Sequence, residues 1–125
     1  GILGAFELPK KTDEEKAVRA AAVEAATLHA SIVPLTVMKE AFRVFDLLRE
    51  MTEKGNPNSV TDGAVGVLAV RAAIRGAFLN VKINVKGLKD RTRAAELVAE
   101  AREIDDAAAA LETEIIERVT KALAM

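Results

Sequence analysis

The chain carries 125 residues, half of them hydrophobic and 30% charged, with 18 basic against 19 acidic side chains, one His and no Cys. That length suits a single domain over residues 1–125, and a net charge of -1 offers no broad basic field to a nucleic-acid backbone. The missing cysteines exclude a disulfide framework, a thiolate zinc site and a cysteine nucleophile, and a single histidine excludes a His-cluster metal site.

Alanine supplies 24 residues and the only aromatics are four Phe, a composition that favours closely packed helices and an all-α class. The opening Gly1-Ile2-Leu3-Gly4-Ala5-Phe6 reads as the tail of a helix that Pro9 stops. Thr12-Asp13-Glu14-Glu15 then has the form of a capping box, predicting a helix from Asp13 to about Val33. After Arg19 its only charge is Glu24, so it offers almost no water-facing side. Pro34 either opens a new helix at its first position or kinks a continuous one. From there to Lys54 the pattern is amphipathic, with Leu35, Met38, Phe42, Phe45 and Leu48 on one face. Gly55 is expected as a left-handed residue ending that helix. The longest uncharged run, Ala25 to Met38, is 14 residues, short of the roughly 20 apolar residues a spanning helix needs. The expectation is therefore a soluble, cytoplasmic protein with no membrane partner.

A third helix is predicted from about Val60 to Lys86, with Ser59 to Asp62 as its start. It carries small residues at three- and four-residue spacing, among them Gly63, Gly66, Ala73 and Gly76, and Asn80 and Asn84 extend the stripe. Such a stripe allows backbone-close helix contact, although each interior glycine costs about 1 kcal/mol in helix propensity. Gly87 ends it and Asp90 begins a last helix to about Leu123. There Leu97, Ala101, Ile104, Ala108, Leu111 and Ile115 form a coiled-coil-like seam. Two helices apolar nearly all round, with only two amphipathic ones to cover them, imply that partner helices are supplied from elsewhere.

Few residues suggest chemistry. His29 falls on the stripe Val18, Ala22, Ala25 and Ile32, so it is expected packed and hydrogen-bonded. Arg71 and Arg75 share a face and suit either an anion clamp or a salt bridge to a neighbouring helix. Lys82, Lys86 and Lys89 read as solvated surface. Asn56, Asn58, Asn80 and Asn84 are better candidates, because amides on a close-packed side must be satisfied by protein or by ligand. Asp62, at a helix start, is either a dipole partner or an acid–base group.

At these residues the chain resembles the formiminotransferase-cyclodeaminase / methenyltetrahydrofolate cyclohydrolase family. The similarity rests on Asn56 to Asp90: a Gly-Asn loop, Thr61-Asp62 in place of a Ser-Asp pair, a small-residue helix, Asn80-Val81-Lys82-Ile83-Asn84 and a Lys-Asp turn. Leu8-Pro9-Lys10, Thr12 to Lys16 and Val33-Pro34-Leu35 fit in order. The resemblance implies a cyclodeaminase-like orthogonal or antiparallel helical bundle of about four main helices, with N-terminal helices missing. It implies a homo-oligomer, a dimer or higher, acting on a tetrahydrofolate derivative as substrate, with no separate cofactor, no metal and no nucleic acid. The family's acidic catalytic motif is expected before Gly1, so no catalytic residue transfers and these residues alone are expected to be inactive. Asp62, Asn80, Asn84 and Asn58 are nominated for substrate binding. The competing reading is a noncatalytic helical oligomerisation module that retains the fold.

Overall fold

The computed structural model describes residues 1–124, apart from the side chain of Pro57. Four helices follow one another: α1 (Ile2–Phe6), α2 (Asp13–Lys54), α3 (Pro57–Asn84) and α4 (Arg91–Leu123), with a 3-10 turn at Val85–Gly87 before α4. No strand occurs among the described residues, and the expected all-α bundle is what forms.

Each start has a local cause. Thr12 Oγ1 accepts from Glu15 N at 3.0 Å and Asp90 Oδ1 accepts from Arg93 N at 2.9 Å, both satisfying amides that a helix leaves open. The α3 start differs from expectation. Its cap is Asn56, whose Oδ1 accepts from Ser59 N at 3.0 Å, and Pro57 opens the helix where its missing N–H costs nothing. Gly55 is not left-handed: its φ is -77° and ψ is 162°. Glycine is needed there for space, since a Cβ would run into the Met51 carbonyl and lie 2.6 Å from Ser59 Cβ.

The chain does not break at Pro34, and α2 runs through it for 42 residues. The tight turn at Gly55 sends α3 back antiparallel along α2. Gly63 lies against Thr52 and Gly66 against Leu48, while Asn84 reaches Ala30 near the other end. α4 closes one side of this hairpin, and Leu97, Ala101, Ala108 and Ile115 of its seam are buried against Met38, Phe45, Val67, Ile74 and Phe78. Ion pairs Lys39–Glu100 and Arg118–Glu53 hold α4 alongside α2.

The other side of the hairpin is bare. Val18 is 63% exposed, Leu47 65% and Val65 65%, and Val33, Val37, Leu79 and Ile83 are exposed with them. α2 and the stretch Asn58–Gly87 each contain an 18-residue window apolar enough to cross a membrane by length and composition alone. The longest uncharged run is a stricter measure than mean hydropathy, because one or two charges interrupt a run without lowering the mean much, and the core helix of a soluble protein passes the hydropathy test as well. Only 22% and 28% of those windows are buried within the chain, so the over-apolar helices do lack cover.

α4 is also tied down at its start. Glu24 of α2 accepts from Lys89 N at 2.8 Å and from Asp90 N at 3.0 Å. These two bonds, that from Lys89 first, hold the Glu24 carboxyl below its ordinary value of 4.5. A carboxylate with a lowered folded pKa contributes stability above the unfolded value, and that contribution disappears as pH falls through the folded one. Glu24→Gln is therefore expected to flatten the acid limb of the stability–pH profile below about pH 4.5, measured as urea midpoints from pH 3 to 7. An acid limb identical to that of the unaltered chain would refute the clasp.

Candidate functional site between α2 and α3

The bare side contains a groove of about 660 Å3 where α2 and α3 diverge, lined by Ala30, Val33, Pro34 and Val37 on one wall and Ala73, Gly76, Ala77, Asn80 and Asn84 on the other. Its walls are apolar and its polar groups are the two amides. The position of Asn84 follows from Pro34. A proline has no N–H, so the carbonyl four residues earlier, that of Ala30, loses its helical partner. Asn84 Nδ2 donates to Ala30 O at 2.8 Å and replaces it. Asn80, one turn earlier, is exposed in the groove and makes no hydrogen bond among the described residues. Its amide is available to a ligand, as is the Asn84 carboxamide oxygen.

The Pro34–Asn84 pairing has a measurable signature. Asn84→Ala is expected to cost about 1–2 kcal/mol, the penalty for an unpaired carbonyl in a partly buried place. In a Pro34→Ala background Ala30 regains an N–H partner, and the same change is expected to cost less than half as much. Thermal melts of the four proteins would show equal costs in both backgrounds if the pairing were incidental.

The four nominated residues do not gather within one chain. Asn58 and Asp62 are exposed at the start of α3, and the 18 residues from Asp62 to Asn80 span about 27 Å of helix. Asp62 points from the same outward side of α3 as Asn80. Asn58 contributes its carbonyl to Thr61 Oγ1 at 2.9 Å. The other candidates sort themselves by contact. Arg71 and Arg75 are not a ligand clamp, since both bind Asp105 of α4, at 2.7 and 2.6 Å. Lys82 and Arg102 instead lie 5.3 Å from the Phe78 ring centroid. His29 corrects the expectation of a packed histidine: it is exposed. Of the stripe it shares, Val18 and Ala25 are exposed with it, while Ala22 and Ile32 are partly buried. Asp105, 2% exposed, is the functional-looking residue that the sequence reading passed over. Its spacing from Ala101 and Ala108 on the seam was the available signal.

A second hollow of about 580 Å3 lies on α4, lined by Val85, Arg91, Arg102, Glu103 and Asp106 among others. Arg91 is already spent there, donating to Val85 O at 3.1 Å and Leu88 O at 3.0 Å. The remaining charges are of both signs, so this hollow lacks the directed character of the amide groove.

The sequence profile of the formiminotransferase-cyclodeaminase family matches residues 1–103. Among curated relatives, a methenyltetrahydrofolate cyclohydrolase of Methylorubrum extorquens is 44% identical over 94% of this chain and 57% of its own length. A formimidoyltransferase-cyclodeaminase of Rattus norvegicus is 33% identical over 80% of this chain and 20% of its own, and that of Gallus gallus 30% over 91% and 22%. The chain thus spans little more than half of the bacterial relative and about a fifth of the vertebrate ones. With the family profile covering α1 to α3 and the first part of α4, the chain belongs to the formiminotransferase-cyclodeaminase family.

Proposed function

We propose that the chain is part of a folate one-carbon enzyme, acting as a formiminotetrahydrofolate cyclodeaminase or a methenyltetrahydrofolate cyclohydrolase. The observation that carries this reading is the 44% identity to a methenyltetrahydrofolate cyclohydrolase across 94% of the chain. The groove supports it chemically. A pterin ring has flat apolar faces and an edge of alternating donors and acceptors, and the groove offers apolar walls with two amides that both donate and accept.

In the deaminase reaction N10 of formiminotetrahydrofolate attacks the formimino carbon, the amino nitrogen gains a proton and leaves as ammonia, and the methenyl form remains. In the cyclohydrolase reaction water adds to the methenyl carbon, loses a proton, and the ring opens to the formyl form. Both gain from a held ring and a positioned proton carrier. Asn80, Asn84, Asp62 and Asn58 are assigned to binding and orientation, and the proton carrier is assigned to none of these residues. In this reading the tetrahydrofolate derivative is the substrate, with no further cofactor or metal. The protein is a cytoplasmic homo-oligomer, and the deaminase version belongs to histidine degradation.

The bare apolar hairpin face equally suits a noncatalytic assembly module, and activity decides between the two. The complete natural protein is expected either to release ammonia from formiminotetrahydrofolate or to accelerate decay of the methenyl absorbance. Asn80→Ala is expected to lower kcat/KM roughly tenfold, the loss of about one well-made hydrogen bond. Activity in neither assay would leave the assembly reading standing.

A further inference from the structure

We infer that Lys82 and Arg102 form a binding site for a phosphate group, on the side of α3 away from the amide groove. Residues two apart on a helix are separated by about 200° around its axis, so Lys82 and Asn80 leave α3 in nearly opposite directions. Lys82 turns toward α4, where Arg102 meets it. The Lys82 Nζ and the Arg102 Cζ each lie 5.3 Å from the centroid of the Phe78 ring. That ring is 2% exposed and belongs to the core, whereas Lys82 and Arg102 are both exposed. The electron-rich ring attracts each cation, and so keeps near each other two like charges that would otherwise separate.

Arg102 differs from the other arginines in having no polar partner. Six of the nine pair with carboxylates, and Arg19 and Arg91 donate to backbone carbonyls. Arg102 makes neither kind of bond among the described residues, which leaves its whole guanidinium fork unused. Lys82 has no ion pair among them either. The charge around the pair is unbalanced as well. Arg75, a third cation at 5.7 Å from the Phe78 centroid, belongs to a network in which Arg71 and Arg75 are matched by Asp105 and Glu112. Those four charges cancel, and the two positive charges of Lys82 and Arg102 remain, the complement of a dianion. At about 100° per residue, Asp105 lies to one side of Arg102 around α4 and faces α3, whereas Glu103 and Asp106 lie to the other.

A guanidinium fork beside an ammonium point charge is a donor set suited to phosphate oxygens. There is also room for what the phosphate is attached to. The hollow of about 580 Å3 on α4 opens beside Arg102 over Ala95, Val98 and Ala99, and Val85, three residues beyond Lys82, lies at its edge. This floor is apolar, and Glu103 and Asp106 on the rim disfavour a second anionic group there. The hollow therefore fits the uncharged part of a small phosphomonoester.

Titration calorimetry of the complete natural protein with inorganic phosphate and with phenyl phosphate tests the site, at about pH 8 where both are dianions. Arg102→Gln and Lys82→Gln are each expected to weaken binding roughly tenfold, one charge-assisted hydrogen bond being lost. Lys121→Gln removes the same charge near the far end of α4, beyond the reach of screened attraction, and should change affinity less than about twofold. All three positions are exposed, and cooperative thermal melts establish that each variant is folded. Tighter binding of phenyl phosphate assigns the site to a phosphomonoester, and equal binding assigns it to free phosphate. Binding of neither anion at up to roughly 20 mM, or equal losses from Lys82→Gln, Arg102→Gln and Lys121→Gln, would overturn the site. Folate turnover is not the readout, so failure of the folate reading leaves this outcome untouched.

Discussion

Replacing Asp105 with alanine is expected to lower the stability of the chain by about 3–5 kcal/mol, the range for removing one partner of a buried ion pair, as read from urea denaturation. Asp105 is almost fully buried between α3 and α4. Its Oδ1 accepts from Arg71 Nη1 at 2.7 Å and its Oδ2 from Arg75 Nη1 at 2.6 Å. Arg71 is itself mostly buried and also bonds Glu112 at 3.2 Å. Without Asp105 the Arg71 guanidinium keeps its desolvation and loses its best-placed counter-charge. Arg75→Ala is expected to cost under about 1 kcal/mol, because that side chain is more than half exposed and water takes over its solvation. Joint replacement, Arg71→Met with Asp105→Leu, should recover most of the loss, since well-packed apolar groups commonly match a buried ion pair in stability. An Asp105→Ala cost below about 1 kcal/mol would show that the pair is solvated in solution.

Gly63→Leu is expected to destabilise by about 2–3 kcal/mol, near the upper end for overpacking a close contact. A Cβ at position 63 would lie 2.9 Å from Thr52 Cγ2, 3.2 Å from Met51 Cβ and 3.4 Å from Leu48 O. Thr52 is buried and held by its Oγ1 bond to Arg49 O, and Met51 Cβ is fixed by the backbone, so neither can swing aside as a long side chain can. α2 and α3 must therefore separate at the turn end of the hairpin, which also disturbs the packing of Val60 and Val67. Gly76→Ala gives the opposite sign for an isolated chain, because helix propensity improves by about 1 kcal/mol with no clash to offset it. Thermal melts that ranked the two substitutions equally would contradict the assignment of one glycine to an internal contact and the other to an open face.

These two glycines also show what periodicity conveys. The small-residue stripe was readable along its whole length, and so were the Thr12 and Asp90 caps and the α4 seam, because each follows from spacing within one helix. What surrounds a face is a different question. The same stripe is buried at Gly63 and open at Gly76, and the His29 face proved exposed where packing was expected. Asp105 is one of several acidic residues on α4, and a carboxylate looks external until Arg71 and Arg75 are placed opposite it. Turn geometry failed for a related reason. Gly55 was read for its conformational freedom, but its role is to leave room beside Ser59, a contact set by how α3 folds back. Of the candidate site, the position of the amides at the two ends of α3 is legible in the sequence, whereas the bond from Asn84 to the Ala30 carbonyl depends on how α2 and α3 pack.

The Asn84 contact also fixes alignment. Helices faced largely with alanine, glycine and valine present nearly the same surface after a slide of one turn, about 5.4 Å, so apolar packing alone discriminates poorly between neighbouring alignments. The hydrogen-bond deficit created by Pro34 occurs at one carbonyl on α2, and Asn84 meets it at one position on α3. A slid hairpin would leave both the carbonyl and the amide partly buried without their partner, a double penalty that the correct alignment avoids. The proline in the middle of the longest helix thus serves as a reference mark, and the asparagine reads it, in the way a single buried asparagine sets the register of a coiled coil.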